Sequence, residues 1–80
     1  MDIRDIELIE AVHRTGSLSK ACGELSISQP TLSKRLARLE RTLGAELFIR
    51  YSTGMVATPV AAYQLEPSHQ ARSQIRDNTR

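Results

Sequence analysis

The residues best equipped for chemistry in this 80-residue chain lie in SISQPTLSKRLARLE, residues 26–40. On a helix turning about 100° per residue, Leu32, Leu36, Leu39 and Leu43 stay within about 40° of one another. Pro30, Lys34, Ala37 and Arg41 then fall on the opposite side, flanked by Thr31, Ser33 and Arg38, while Gln29 sits nearer the leucines. The outward face therefore carries an ammonium, two hydroxyls and guanidinium groups. Lys can donate to guanine O6 and N7, a Gln amide can pair with adenine N6 and N7, and Thr or Pro can touch a thymine methyl. A capped helix with short polar and cationic residues near its N-terminal end fits the major groove of duplex DNA.

Other chemistries lack their parts. Histidines occur only at positions 13 and 69, Cys22 is the sole cysteine, and there is no glycine-rich phosphate loop. No nucleophile, metal site or nucleotide cradle can be assembled from these, so neither enzymatic activity nor a cofactor is expected. A single cysteine also excludes an internal disulfide and a cysteine-based zinc site, and Cys22 reads as a small packing residue. The apolar runs are too short to span a bilayer, and the N-terminus MDIRDIELIE is acidic, unlike a secretion signal. The expectation is a cytoplasmic protein without membrane contact.

The net charge of +2 understates a polar distribution. Residues 1–27 carry Arg4, Arg14 and Lys20 against five carboxylates, whereas residues 28–58 carry Lys34, Arg35, Arg38, Arg41 and Arg50 against Glu40 and Glu46. Positive charge is thus concentrated where phosphates would be met. Arg35, Arg38 and Arg41 have a plainer reading, as a solvated helix face paired with glutamates.

The elements that must position this face can be read from caps and periodicity. A first helix is predicted over Ile3–Arg14, with Asp2 and Asp5 at its positive end and His13 and Arg14 at its negative end. Its wide apolar arc implies burial on two sides. Ser17 is a natural N-cap for a second helix over Leu18–Leu25, weakened by about 1 kcal/mol by Gly23 relative to Ala. Ser26 and Ile27 form a turn, Ser28 caps the third helix, Pro30 suits its first turn and Gly44 its C-terminal end. Leu47, Phe48 and Ile49, a Ser52-Thr53-Gly54 turn and Met55–Thr58 make a β-hairpin wing. Pro59 opens a fourth helix bearing Ala61, Ala62, Leu65, Ala71 and Ile75, which is expected to kink or restart near Pro67. The predicted fold is mainly α: a winged helix-turn-helix over 1–58 and a linker helix over 59–80, fraying at its end.

GSLSKA, ISQPTLSKRLARLE, LG, LF.R and G...TP occur in the order and spacing of a known family, and the chain resembles the N-terminal DNA-binding domain of LysR-type bacterial transcriptional regulators. The resemblance runs from Ile3 to Pro59 without a gap. It implies base and groove contacts at Gln29, Pro30, Thr31, Ser33 and Lys34. It implies phosphate contacts at Ser17, Ser19, Arg38 and the wing residues Arg50, Ser52 and Thr53. Lys34 stands where the family often has Arg, which keeps the charge and loses the bidentate fork.

The resemblance further implies a homodimer reading an imperfect inverted repeat in double-stranded DNA, paired through the fourth helix with Ala61, Leu65 and Ile75 at the contact. The plainer reading is that these residues cover the first helix within one monomer. The family's ligand-sensing domain would follow the linker, so no small-molecule effector site is expected in these 80 residues. They are expected to be an isolated domain, a truncated product or a stand-alone small regulator. The alternative function is a protein-interaction module that forms heterodimers with a full-length regulator. Salt separates the two, since DNA binding through several phosphates weakens steeply with salt and an apolar contact hardly changes.

Overall fold

A computed structural model describes residues 1–67 of the chain. Its elements are α1 (Ile3–Thr15), α2 (Leu18–Leu25), α3 (Gln29–Leu43), β1 (Phe48–Tyr51), β2 (Gly54–Ala57) and α4 (Pro59–Gln64). Three helices followed by an antiparallel hairpin make the winged helix-turn-helix that the sequence predicts.

Each of the first three helices begins and ends where its own residues satisfy the free backbone groups. Asp2 and Asp5 form a capping box, each carboxylate accepting from the other's backbone N–H at 3.1 Å. The Asp5 N–H holds the Asp2 carboxyl below its ordinary range. Ser17 accepts from Lys20 N at 3.2 Å to start α2, and Ser28 accepts from Thr31 N at 3.3 Å to start α3. Gly16 and Gly44 close α1 and α3 in the left-handed conformation. Ser26 closes α2 at φ 56°, a conformation that costs a non-glycine residue about 1–2 kcal/mol.

One core joins the elements. Leu8, Ile9 and Val12 of α1 meet Leu32, Leu36 and Leu39 of α3, with Leu47 and Phe48 beneath the hairpin. A fully buried Leu contributes about 1.5–3 kcal/mol, whereas helix propensities differ by tenths, so the leucine stripe decides which face α3 turns to solvent. Cys22 and Ile27 pack half-buried against this core.

The hairpin pairs Phe48 with Ala57, Ile49 with Val56, Arg50 with Met55 and Tyr51 with Gly54, leaving Ser52-Thr53 as its loop. Strand alternation buries Phe48 and turns Ile49 outward. Three ties fix the hairpin's position. Met55 N donates to Gly16 O at 2.9 Å, Leu47 N donates to Glu40 Oε2 at 2.7 Å, and the Thr58 hydroxyl donates to Glu46 O at 2.6 Å. Gly54 permits the first tie: its φ is 139°, and a Cβ there would lie 2.7 Å from Gly16 O.

The fourth helix follows one of the two courses expected of it, and one expectation about its residues needs correction. It closes at Gln64, with Leu65 as its C-cap, and Pro67 is again in helical conformation. The residue before a proline is disfavoured in helical conformation, so the stop falls short of Pro67. Ala61 is 0% exposed and belongs to the monomer's own core, so its side chain is not available to line a contact with a second subunit. Leu65 is half-buried against the same core; Ala71 and Ile75 lie outside the described residues. Among the described residues no helix is long and apolar enough to cross a membrane, and no three His, Cys, Asp or Glu side chains cluster as metal ligands.

Candidate nucleic-acid interface

The N-terminal end of α3 projects from the core because only Leu32 of its first turns is buried. Gln29, Pro30, Thr31, Ser33 and Lys34 are all exposed. Thr31 Oγ1 accepts from the Ser28 hydroxyl at 2.8 Å, which leaves the Thr31 hydroxyl proton free to donate. Gln29 is exposed, although its place on the helical wheel lies nearer the leucines.

An open groove of about 510 Å³ runs between α2, the start of α3 and the wing. Its walls include Ser17 and Ser19 from α2, Gln29 from α3, and Arg50, Ser52 and Thr53 from the hairpin. Six of the eleven sequence-derived nucleic-acid contacts therefore share one concavity. Thr31, Lys34 and Arg38 line a second surface on the outer side of α3, together with Arg41. Ser33 and Arg50 border a smaller hollow between α3 and the wing. Pro30 is exposed and lines none of the three. The Gly16–Met55 bond brings the wing to the α2 end, since it anchors the turn before α2 to the second strand.

The electrostatics of the face are simple. Among the described residues, Lys34, Arg38, Arg41 and Arg50 form no ion pair, because the salt bridges all belong to Arg14. Glu40 accepts from Leu47 N at 2.7 Å and forms no ion pair with them. Of the plainer reading, the pairing with glutamates is not seen among the described residues, whereas the solvent exposure it expects of Arg38 and Arg41 is. Lys20 and Tyr51 also line the main groove and were not singled out from the sequence. Lys20 carries only its charge as a signal. Tyr51 becomes visible only once the register places it opposite Gly54 at the hairpin tip.

Residues 3–62 match the sequence model of the family described as bacterial regulatory helix-turn-helix protein, lysR family. The chain belongs to the LysR family. A small neutral protease regulatory protein of Streptomyces coelicolor is 40% identical to it over 60 residues, which are 75% of this chain and 18% of that protein. The chain thus spans about a fifth to a third of the length of the curated relatives it matches. Among solved structures, the BenM DNA-binding domain in complex with catB site 1 DNA matches with a TM-score of 0.77 and 29% identity. That match covers 99% of this chain and 89% of the other. The CbnR DNA-binding domain–DNA complex matches with a TM-score of 0.77 and 27% identity, over 99% and 97% of the two chains. The groove and the cationic face of α3 therefore belong to a LysR-family helix-turn-helix domain.

Proposed function

We propose that this LysR-family domain binds double-stranded DNA sequence-specifically and acts in the cytoplasm as the operator-reading part of a transcriptional regulator. The observation that carries the reading is the groove shared by α2, Gln29 and the wing, set beside an α3 face whose cations are unpaired among the described residues. In this reading α3 enters the major groove. Gln29, Pro30, Thr31, Ser33 and Lys34 meet base edges, while Ser17, Ser19, Arg38, Arg50, Ser52 and Thr53 fix register on phosphates. Two copies would read an imperfect inverted repeat as a homodimer. Residues 1–58 would read the DNA, and residues 59–80, with Leu65 and Ile75, would link the subunits.

Replacing Gln29 or Lys34 by Ala tests direct readout. Each should weaken binding to a selected duplex by about 1–3 kcal/mol, or roughly 5- to 150-fold, with less loss on mixed-sequence DNA. Equal loss on both duplexes counts against base recognition by that side chain. A protein that binds no duplex, yet associates with a full-length regulator, would favour the interaction-module alternative.

A further inference from the structure

Arg14, near the C-terminal end of α1, holds two carboxylates at once. Its Nε donates to Glu10 Oε2 at 3.0 Å, and one terminal nitrogen donates to Glu24 Oε2 at 2.9 Å. The other terminal nitrogen reaches both glutamates. Arg14 is the first cause of the lowered Glu24 pKa, and the Glu24 bond is the first cause of the raised Arg14 pKa. All three side chains are half-exposed, and ion pairs in such positions contribute little to stability. The consequence lies in the charge pattern.

Glu24 follows Lys20 by four residues on α2, the spacing at which oppositely charged side chains on a helix meet. With Glu24 engaged by Arg14, Lys20 has no ion-pair partner among the described residues, and it borders the groove that holds Ser17, Gln29 and Arg50. We infer that Arg14 is a positioning residue for DNA binding: it withdraws Glu24 from Lys20 and so leaves Lys20 as a further phosphate contact at the α2 edge of the groove. This rests on the DNA-binding reading above. Neither residue is among the contacts read from the sequence.

The test uses a mixed-sequence duplex of about 30 base pairs, titrated at about 50 and 200 mM salt. One phosphate contact changes the log–log salt slope by about 0.9, so the wild type should lose about 3.5-fold more affinity over that interval than Lys20→Ala. Arg14→Met, which keeps the aliphatic stem, should weaken binding at low salt. Adding Glu24→Gln should restore it. Adding Glu10→Gln restores the same net charge but leaves Glu24 free to pair with Lys20, so it should not. A wild-type salt slope in Lys20→Ala overturns the inference, as does equal restoration by Glu10→Gln and Glu24→Gln. Circular-dichroism melting checks that each variant is folded, and the exposed Lys20→Ala tests the phosphate contact even if Arg14→Met does not fold. A wild type that binds no duplex instead refutes the DNA-binding reading.

Discussion

One substitution made at two glycines should move stability in opposite directions. At Gly54 a Cβ would lie 2.7 Å from Gly16 O, and the backbone φ is 139°, a conformation that costs an L-residue about 1–3 kcal/mol. The hairpin can relieve the clash only by moving away, which forfeits the 2.9 Å Met55–Gly16 bond, worth a further 0.5–1.5 kcal/mol or so. Gly54→Ala should therefore cost about 1.5–4.5 kcal/mol. Gly23 is exposed within α2, and nothing lies within 4 Å of its would-be Cβ. Gly23→Ala should gain about 1 kcal/mol from helix propensity. In a domain of this size 1 kcal/mol moves the melting temperature by about 4–8 °C, so thermal melting should show Gly54→Ala lower by about 6 °C or more and Gly23→Ala higher by about 4–8 °C. Gly54→Ala should also weaken DNA binding, because Arg50, Ser52 and Thr53 leave the groove with the wing. A Gly54→Ala protein melting within about 2 °C of wild type would refute the claim that this close approach positions the wing.

Three further outcomes follow from the same contacts. Ser28→Ala removes the cap of α3 and should cost about 1 kcal/mol in urea unfolding. Ala61→Leu overfills a closed core position and should destabilise by about 1–3 kcal/mol at every protein concentration; a loss that grew on dilution would instead mark a subunit contact. Asp2 and Glu24 have folded-state pKa values below their ordinary 3.8 and 4.5. Their contribution is therefore complete above about pH 5 and is lost as pH falls through the folded values. Titrated by NMR, the Glu24 carboxyl should accordingly move up towards its ordinary range in Arg14→Met, and an unmoved titration would count against the Arg14 pair.

The first three helices were legible because their boundaries are written in local chemistry. Ser17, Ser28 and Gly44 each cap a helix through bonds to residues a few positions away, and the leucine spacing fixed the buried face of α3. The Asp2–Asp5 box was less visible, since Asp at the third position is a weaker signal than Glu. What the sequence did not reveal depends on contacts between distant residues. The approach of Gly54 to Gly16, the bond from Leu47 N to Glu40 and the double engagement of Arg14 appear only when the elements are packed. Ala61 has no side chain large enough to declare on which side it is buried, so periodicity alone could not separate core from subunit contact. Gln29 shows the same limit from the other direction. The wheel drew it towards the leucines, and only the packed fold shows it lining the groove.

The most direct test is selection of duplexes from a random pool by the purified chain, with the winner titrated at two salt concentrations while light scattering reports the bound stoichiometry. Sequence-specific recognition predicts an enriched inverted repeat, two copies bound per site and affinity that falls steeply as salt rises. No enriched sequence, or binding indifferent to salt, would contradict it.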